Sequence, residues 1–270
     1  MRDLIALALR EDIGTGDITT TTCISPERLA EGRFVAREDI VLAGIELLPF
    51  IYQARGGVAN LELLHPSGTS VTSGTPLATV SGRAQTLLEC ERTTLNFLQR
   101  LSGVATLARK YADAVSHTTC RVLDTRKTTP GFRRLEKLAA ASGGVTNHRM
   151  GLWDAVLIKN NHITAAGGVT AVLQRFADST LPVEIEVRTR QELDEALQAG
   201  AKTLLLDNLT PEEARNWIAF IAGRASVELS GNITLETVAS YAETGADFVS
   251  SGAITHQAQS VDINFRIELQ

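Results

Sequence analysis

The chain has 270 residues, 44% of them apolar and 21% charged, with a formal net charge of -5. That length can bury one barrel-sized core or two ordinary ones, and the composition is that of a soluble globular protein. The acidic balance excludes general nucleic-acid binding through a broad basic face, and no apolar run reaches the roughly 18 to 20 residues that span a bilayer, so neither nucleic acid nor membrane is an expected partner. Three cysteines, Cys23, Cys90 and Cys120, lie far apart without metal-binding spacing, the usage of reduced thiols in a cytoplasmic compartment.

Leu4, Ile5, Ala8 and Leu9 share one face of a short N-terminal helix. Charge closes it at once, no small-residue cleavage site follows, and EDIGTGDITT ends it, so the segment reads as a helix and not a signal peptide. From about Gly32 to Gly82 the pattern is strand-like: GRFVARED, DIVLAG, ANLELLH, PLATVSG. HPSGTSVTSGTPL resembles the hammerhead turn of carrier domains, but it lacks a lysine at the tip to carry a cofactor and reads as structural. A long helix is predicted from about Thr86 to Leu101, which makes residues 1–102 a smaller α+β domain.

After Ser102 the rhythm becomes buried strand alternating with helix. Apolar runs at 122–123, 155–158, 183–187, 203–206, 226–229 and 247–249 are separated by helical segments such as RQELDEALQAG, PEEARNWIAFIAG and TLETVASYAETG. That spacing predicts parallel strands in a (β/α) barrel over residues 103–270. The strands end on polar residues, Asp124, Lys159, Glu186, Asp207, Ser230 and Ser250. In such barrels the carboxyl ends of the strands form one rim, where sites are built.

Between Arg121 and Lys159, eight Lys and Arg stand against three Asp and Glu. A solvated basic helix face explains Arg133, Arg134 and Lys137. It explains Arg126, Lys127, His148, Arg149 and Lys159 poorly, because these lie at the ends of apolar runs. Guanidinium forks match carboxylate or phosphate oxygens, so this group predicts a multiply anionic ligand. Glu186 and Asp207, on consecutive strands, could hold Mg²⁺ beside a phosphate or pair with Lys159 or Arg126. The glycine turns SGN (230–232) and SSGAITH (250–256) let the backbone approach a phosphate.

Seven motifs, in order along nearly the whole chain, carry a family resemblance: ALREDIGTGDITT, ERTTLNFLQRLSG, DTRKTTPGFR, GGVTNHRMGL, LIKNNH, LLLDN and GAITH. The chain resembles the quinolinate phosphoribosyltransferases. The resemblance implies an α/β fold of the type II phosphoribosyltransferase kind, an N-terminal sandwich-like domain followed by an open, incomplete (β/α) barrel. It implies transfer of phosphoribosyl from 5-phosphoribosyl 1-pyrophosphate to quinolinate with decarboxylation, Mg²⁺ as cofactor, and a homodimer with room for higher assembly. Matched motif by motif, Arg126, His148, Arg149 and Lys159 bind the quinolinate carboxylates, with Thr125 nearby. Lys127, Glu186 and Asp207 serve the phosphoribosyl and Mg²⁺ side, the last two as metal ligands. These three and Lys159 are the implied catalytic group. Ser230, Gly231, Gly252 and His256 hold the 5-phosphate, and Arg92 reaches into the neighbouring subunit's site.

Two positions depart from the family pattern: Asn160 replaces an acid often found after the strand-end lysine, and Asn232 stands where a second glycine is usual. Three other readings remain open at this point: a paralogous transferase linked to molybdate transport or specific for nicotinate, a Schiff-base lyase using Lys159, and a non-catalytic binder of nicotinate-like metabolites. NHR and LIKNNH favour the quinolinate type, since a dicarboxylate accounts for the extra cations.

Overall fold

The computed structural model describes residues 1–269, which divide into two compact units. In chain order the strands are β1 (Leu29–Ala36), β2 (Ile40–Val41), β3 (Asn60–Leu63), β4 (Ser70–Val71), β5 (Pro76–Arg83), β6 (Arg121–Leu123), β7 (Val156–Ile158), β8 (Val183–Val187), β9 (Thr203–Asp207), β10 (Ser226–Ser230), β11 (Phe248–Ser250) and β12 (Ile263–Leu269).

The first unit is built on a four-stranded antiparallel sheet in the order β12-β1-β5-β3. Alternation along β1 sends Ala30, Phe34 and Ala36 into the core with no exposed surface. Phe34 packs on Phe265 of β12 with ring centroids 4.6 Å apart. The Phe265 ring also covers Gly32, where any Cβ would collide with it.

The helix after β5 runs from Ala84 to Ala114, well past the predicted end at Leu101. Ser102 and Gly103 look like a stop signal in the sequence. In the fold they are packing residues: the Ser102 hydroxyl accepts from the N–H of Ala43 at 3.0 Å, and Gly103 makes room for the main-chain carbonyl of Gln259. The units accordingly do not follow a single cut at residue 102. Met1–Arg109 is joined in the first unit by Pro130–Gly144 and by the stretch from Ala258 onward, because β12 pairs along the whole of β1.

The second unit holds a six-stranded sheet in the order β6-β11-β10-β9-β8-β7, with all its pairs parallel. β6 and β7 are its two edges, so the barrel is open; a single bridge from Leu123 to Thr146 extends the β6 edge. Connecting helices begin on strong caps. Thr189 accepts from Glu192 N–H ahead of Arg190–Gln198, and Thr210 and Glu213 form a capping box on Pro211–Ile221. The helix predicted over 234–245 shortens to Val238–Ala242.

Register fixes what each face carries. Glu186, Leu205, Glu228 and Phe248 form one row across β8 to β11, and residues two apart on a strand share a face. The opposite face presents Ile185, Val187, Leu204, Leu206, Val227, Leu229 and Val249, each at most 3% exposed. One side of the sheet is therefore an aliphatic core, and the other is lined by acids, hydroxyls and a lysine.

Gly32→Ala should overpack the Phe265 contact and lower the unfolding free energy by about 1–3 kcal/mol in urea titrations. Unchanged stability would mean that the ring moves aside without cost.

Candidate active site

The polar face of the parallel sheet opens into a cleft of about 530 Å³ at the carboxyl ends of the strands. Thr125, Arg126 and Lys127 enter it from the loop after β6, His148 and Arg149 from the segment beyond Thr146, and Lys159 from the end of β7. Asp207, Ser230 and Gly231 close β9 and β10, and Gly252 and His256 follow β11. All the predicted site residues line this cleft except two. Glu186 faces an adjoining cleft of about 260 Å³ shared with Lys159, Arg188 and Asp207. Arg92 is exposed on the helix Ala84–Ala114, in the first unit.

The cations are held by few protein acids. The buried Nε of Arg126 has no protein partner. The Arg149 guanidinium donates to the Ala155 carbonyl at 3.3 Å, and burial followed by the nearby charge of Arg126 lowers its proton affinity. Such repulsion between neighbouring cations is relieved when an anion enters. Lys127 is anchored through its main chain, its N–H donating to Thr125 Oγ1 at 3.1 Å and its carbonyl accepting from Thr255 at 2.7 Å.

The NHR segment is pinned by buried acids. Asp124, with no exposed surface, accepts from His148 N–H at 2.8 Å and from the Asn147 side chain at 2.7 Å. On the far side of Arg149, the Asp154 carboxylate accepts from the N–H groups of Met150 and Gly151. His148 Nδ1 accepts from Arg149 N–H at 2.7 Å, which places the ring's proton on Nε2, 3.2 Å from both Glu184 and Glu228.

The two glutamates favour the protonated imidazole. Burial alone would lower the imidazole's affinity for a proton, but the hydrogen bonds and charges of the two glutamates outweigh it and push the value up to about 9. Burial also raises Glu184, and Glu228 beside it adds to the shift. Glu184 and Glu228, which meet the His148 ring, are residues that strand ends alone do not reveal. The signal for them is the strict alternation in VEIEV and SVELS.

Glu186 is neutralised inside the protein. Its Oε1 accepts from the Arg188 guanidinium at 2.6 and 2.9 Å, and its Oε2 lies 3.4 Å from Lys159. Arg188 is a third residue that sequence reasoning missed. Asp207 accepts from the Asn208 side chain at 2.7 Å and faces both clefts. A carboxylate oxygen facing a cation-lined cleft suits Mg²⁺, which binds through one or two carboxylates and its substrate. On this structure Asp207 fits that task better than Glu186, whose oxygens already have cationic partners.

The loops after β9 and β10 explain one departure from the family pattern. Gly231 has φ 104, and a Cβ there would lie 2.7 Å from Asn208 N. Asn208 and Asn232 have φ 58 and 52 and bond to each other at 3.3 Å. Asparagine tolerates the left-handed region, so Asn232 can replace glycine without changing the turn. Asn160 opens the helix Asn160–Ala166, where His162 Nδ1 accepts from Lys159 N–H at 2.9 Å. Cys90 and Cys120 are buried thiols pushed up to about 12, far from nucleophile chemistry.

Fold and site together define an open (β/α) barrel with a cation-lined cleft at its strand ends. The model of the quinolinate phosphoribosyltransferase C-terminal domain matches residues 104–266, and that of the N-terminal domain matches residues 17–102. The chain is 38% identical to the chloroplastic carboxylating nicotinate-nucleotide pyrophosphorylase of Oryza sativa, over all of this chain and 78% of that one. It is 39% identical to the decarboxylating quinolinate phosphoribosyltransferase 1b of Nicotiana tabacum, over all of this chain and 83% of that one. The NadC structure from Streptococcus pyogenes superposes with a TM-score of 0.94 at 36% identity, covering 99% of this chain and 96% of that one. The chain belongs to the quinolinate phosphoribosyltransferase family.

Two outcomes follow from the site's electrostatics and backbone. Folded His148 holds its proton up to about 9, above the ordinary imidazole value. Its stabilisation is thus full below about pH 6.5 and is lost as pH rises through the folded value. The difference in unfolding free energy between the wild type and His148→Asn should shrink across that window; a constant or growing difference contradicts the cluster. Asn232→Gly should leave stability within about 0.5 kcal/mol, whereas Asn232→Val should cost about 1–2 kcal/mol in the same urea titration.

Proposed function

We propose that this chain catalyses transfer of phosphoribosyl from 5-phosphoribosyl 1-pyrophosphate to quinolinate with loss of CO₂, giving nicotinate mononucleotide and pyrophosphate for NAD biosynthesis. The observation that carries the reading is the convergence of Arg126, Lys127, Arg149 and Lys159 on one cleft floored by polar strand ends. Quinolinate has two adjacent carboxylates, and the other substrate carries a phosphate and a pyrophosphate. Bringing such anions together is repulsive, at roughly 4 kcal/mol per close pair near a protein surface, and fixed cations reverse that sign.

In this reading Arg126, Arg149 and Lys159 grip the two carboxylates, with Thr125 and the His148 ring beside them. The quinolinate nitrogen attacks the anomeric carbon as the bond to pyrophosphate breaks, and Lys127 neutralises charge on the departing group. The ring, now positively charged, stabilises the electron pair left at C2 when CO₂ departs, and that carbon then takes up a proton. Gly231, Ser230, Gly252 and His256 cradle the 5-phosphate through the turns after β10 and β11. Mg²⁺, held by Asp207 and the substrate's own phosphates, would supply charge neutralisation on the pyrophosphate, while Glu186 holds Lys159 in place. We further assign Arg92 to a neighbouring subunit's site in a homodimer, and the chain to the cytoplasm, in keeping with its unpaired cysteines. No helix among the described residues is long and apolar enough to cross a membrane.

The competing chemistries have less support. Lys159 is ion-paired with Glu186, whereas a Schiff-base lysine stands desolvated or beside another cation. A pure anion sensor gains nothing from Asp207 in its cleft.

Quinolinate and phosphoribosyl pyrophosphate, incubated with the protein and Mg²⁺, should yield equal amounts of nicotinate mononucleotide and CO₂, and chelation should suppress both. Arg149→Ala should raise the quinolinate KM at least about tenfold with the fold intact. Turnover of nicotinate in place of quinolinate, or wild-type kinetics in Arg149→Ala, would contradict the proposal.

A further inference from the structure

Two buried carboxylates sit under a cleft built to hold anions, and the chemistry above uses neither. Glu184 on β8 and Glu228 on β10 are 8% and 2% exposed. Their charge opposes the ligand, so their value to the site must lie in geometry. Both reach Nε2 of His148 at 3.2 Å, and the two acids and the ring nitrogen lie within 4.8 Å of one another. The other ring nitrogen accepts the N–H of Arg149 at 2.7 Å.

A line of hydrogen bonds thus runs from two strands of the sheet, through an imidazole, to the main chain of the arginine that grips substrate. The remaining groups around the ring are fixed too: Asp124 holds the His148 N–H, and Asp154 holds the two N–H groups after Arg149. The Arg149 guanidinium itself donates to the Ala155 carbonyl at 3.3 Å, a long bond for a group that must meet a carboxylate squarely.

Resting on the quinolinate reading, we infer that Glu184 and Glu228 are positioning residues that set Arg149 for the dicarboxylate by locking the ring of His148 between them. Removing either acid frees the ring to turn about its side-chain torsions. That releases the Arg149 N–H and lets the guanidinium drift, and a shift of about 1 Å can cost on the order of a hundredfold.

The roles of position and charge separate with three substitutions at one residue. Glu228→Gln keeps an acceptor oxygen in place and removes the charge. Glu228→Asp keeps the charge and withdraws the oxygen by one methylene. Glu228→Ala removes both, and Glu184→Ala tests the second acid. The probe is benzene-1,2-dicarboxylate, which has the two adjacent carboxylates of quinolinate and no ring nitrogen to react. Its binding to the full chain is measured by calorimetry, alongside KM for each substrate and kcat.

The Asp and Ala variants should bind the probe about ten- to hundredfold more weakly and raise the quinolinate KM in parallel, with the phosphoribosyl pyrophosphate KM unchanged. The Gln variant should stay within about threefold of wild type, since the shape of the bond is retained. Should an Ala variant fail to fold, the Gln and Asp pair still decides. Wild-type binding in the Asp and Ala variants overturns the inference. So does a Gln variant as damaged as Ala, which would make charge the cause, or a parallel rise in both KM values, which would mean general loosening. If the wild-type chain ignores the dicarboxylate while Arg149→Ala changes nothing, the substrate reading itself falls, and this inference with it.

Discussion

Alternation along six parallel strands is the constraint on which the rest depends. Successive side chains must point to opposite faces, so a strand such as VEIEV delivers valine and isoleucine to one side and two glutamates to the other. The aliphatic side is sealed, and each fully buried Val, Leu or Ile there stabilises the fold by roughly 1.5–3 kcal/mol. That apolar layer fixes the register, and the register fixes where every charged side chain of the cleft must stand. A slip of one residue would bury Glu186 and Glu228 in the aliphatic layer.

Charge on the polar side is balanced unevenly, and the imbalance is the functional content of the site. Lys159 and Arg188 share Glu186, and His148 sits among Glu184 and Glu228. Asp124 is spent on the main chain of the NHR segment. Arg126, Lys127 and Arg149 have no ion pair with a protein carboxylate among the described residues. A cleft with three cations that no protein carboxylate pairs is preorganised for a ligand that brings its own negative charge.

Much of this is legible in the sequence. Strand ends in the barrel half can be read because buried parallel strands are short apolar runs with abrupt polar ends, and the rim residues follow from the fold. Four features resist that reading. Counting only strand ends passes over Glu184 and Glu228, since a mid-strand acid in a run taken as wholly buried carries no signal until alternation is examined. Ser102-Gly103 looks like a helix terminus because sequence shows glycine's weak helix propensity and not the carbonyl of Gln259 that needs the space. The allegiance of β12 to the first unit is a pairing between segments more than two hundred residues apart, beyond the reach of local pattern. Arg188 belongs with these: only the fold shows that its guanidinium meets one oxygen of Glu186.

The proposed reaction requires one cationic cleft to gather a dicarboxylate next to a phosphorylated sugar. A crystal structure of the protein with quinolinate bound tests it most directly. Both carboxylates should lie within hydrogen-bond distance of Arg126, Arg149 and Lys159, with the ring nitrogen turned toward Lys127 and the loops after β10 and β11. Quinolinate bound elsewhere, or those three side chains turned into solvent with the ligand in place, would contradict it.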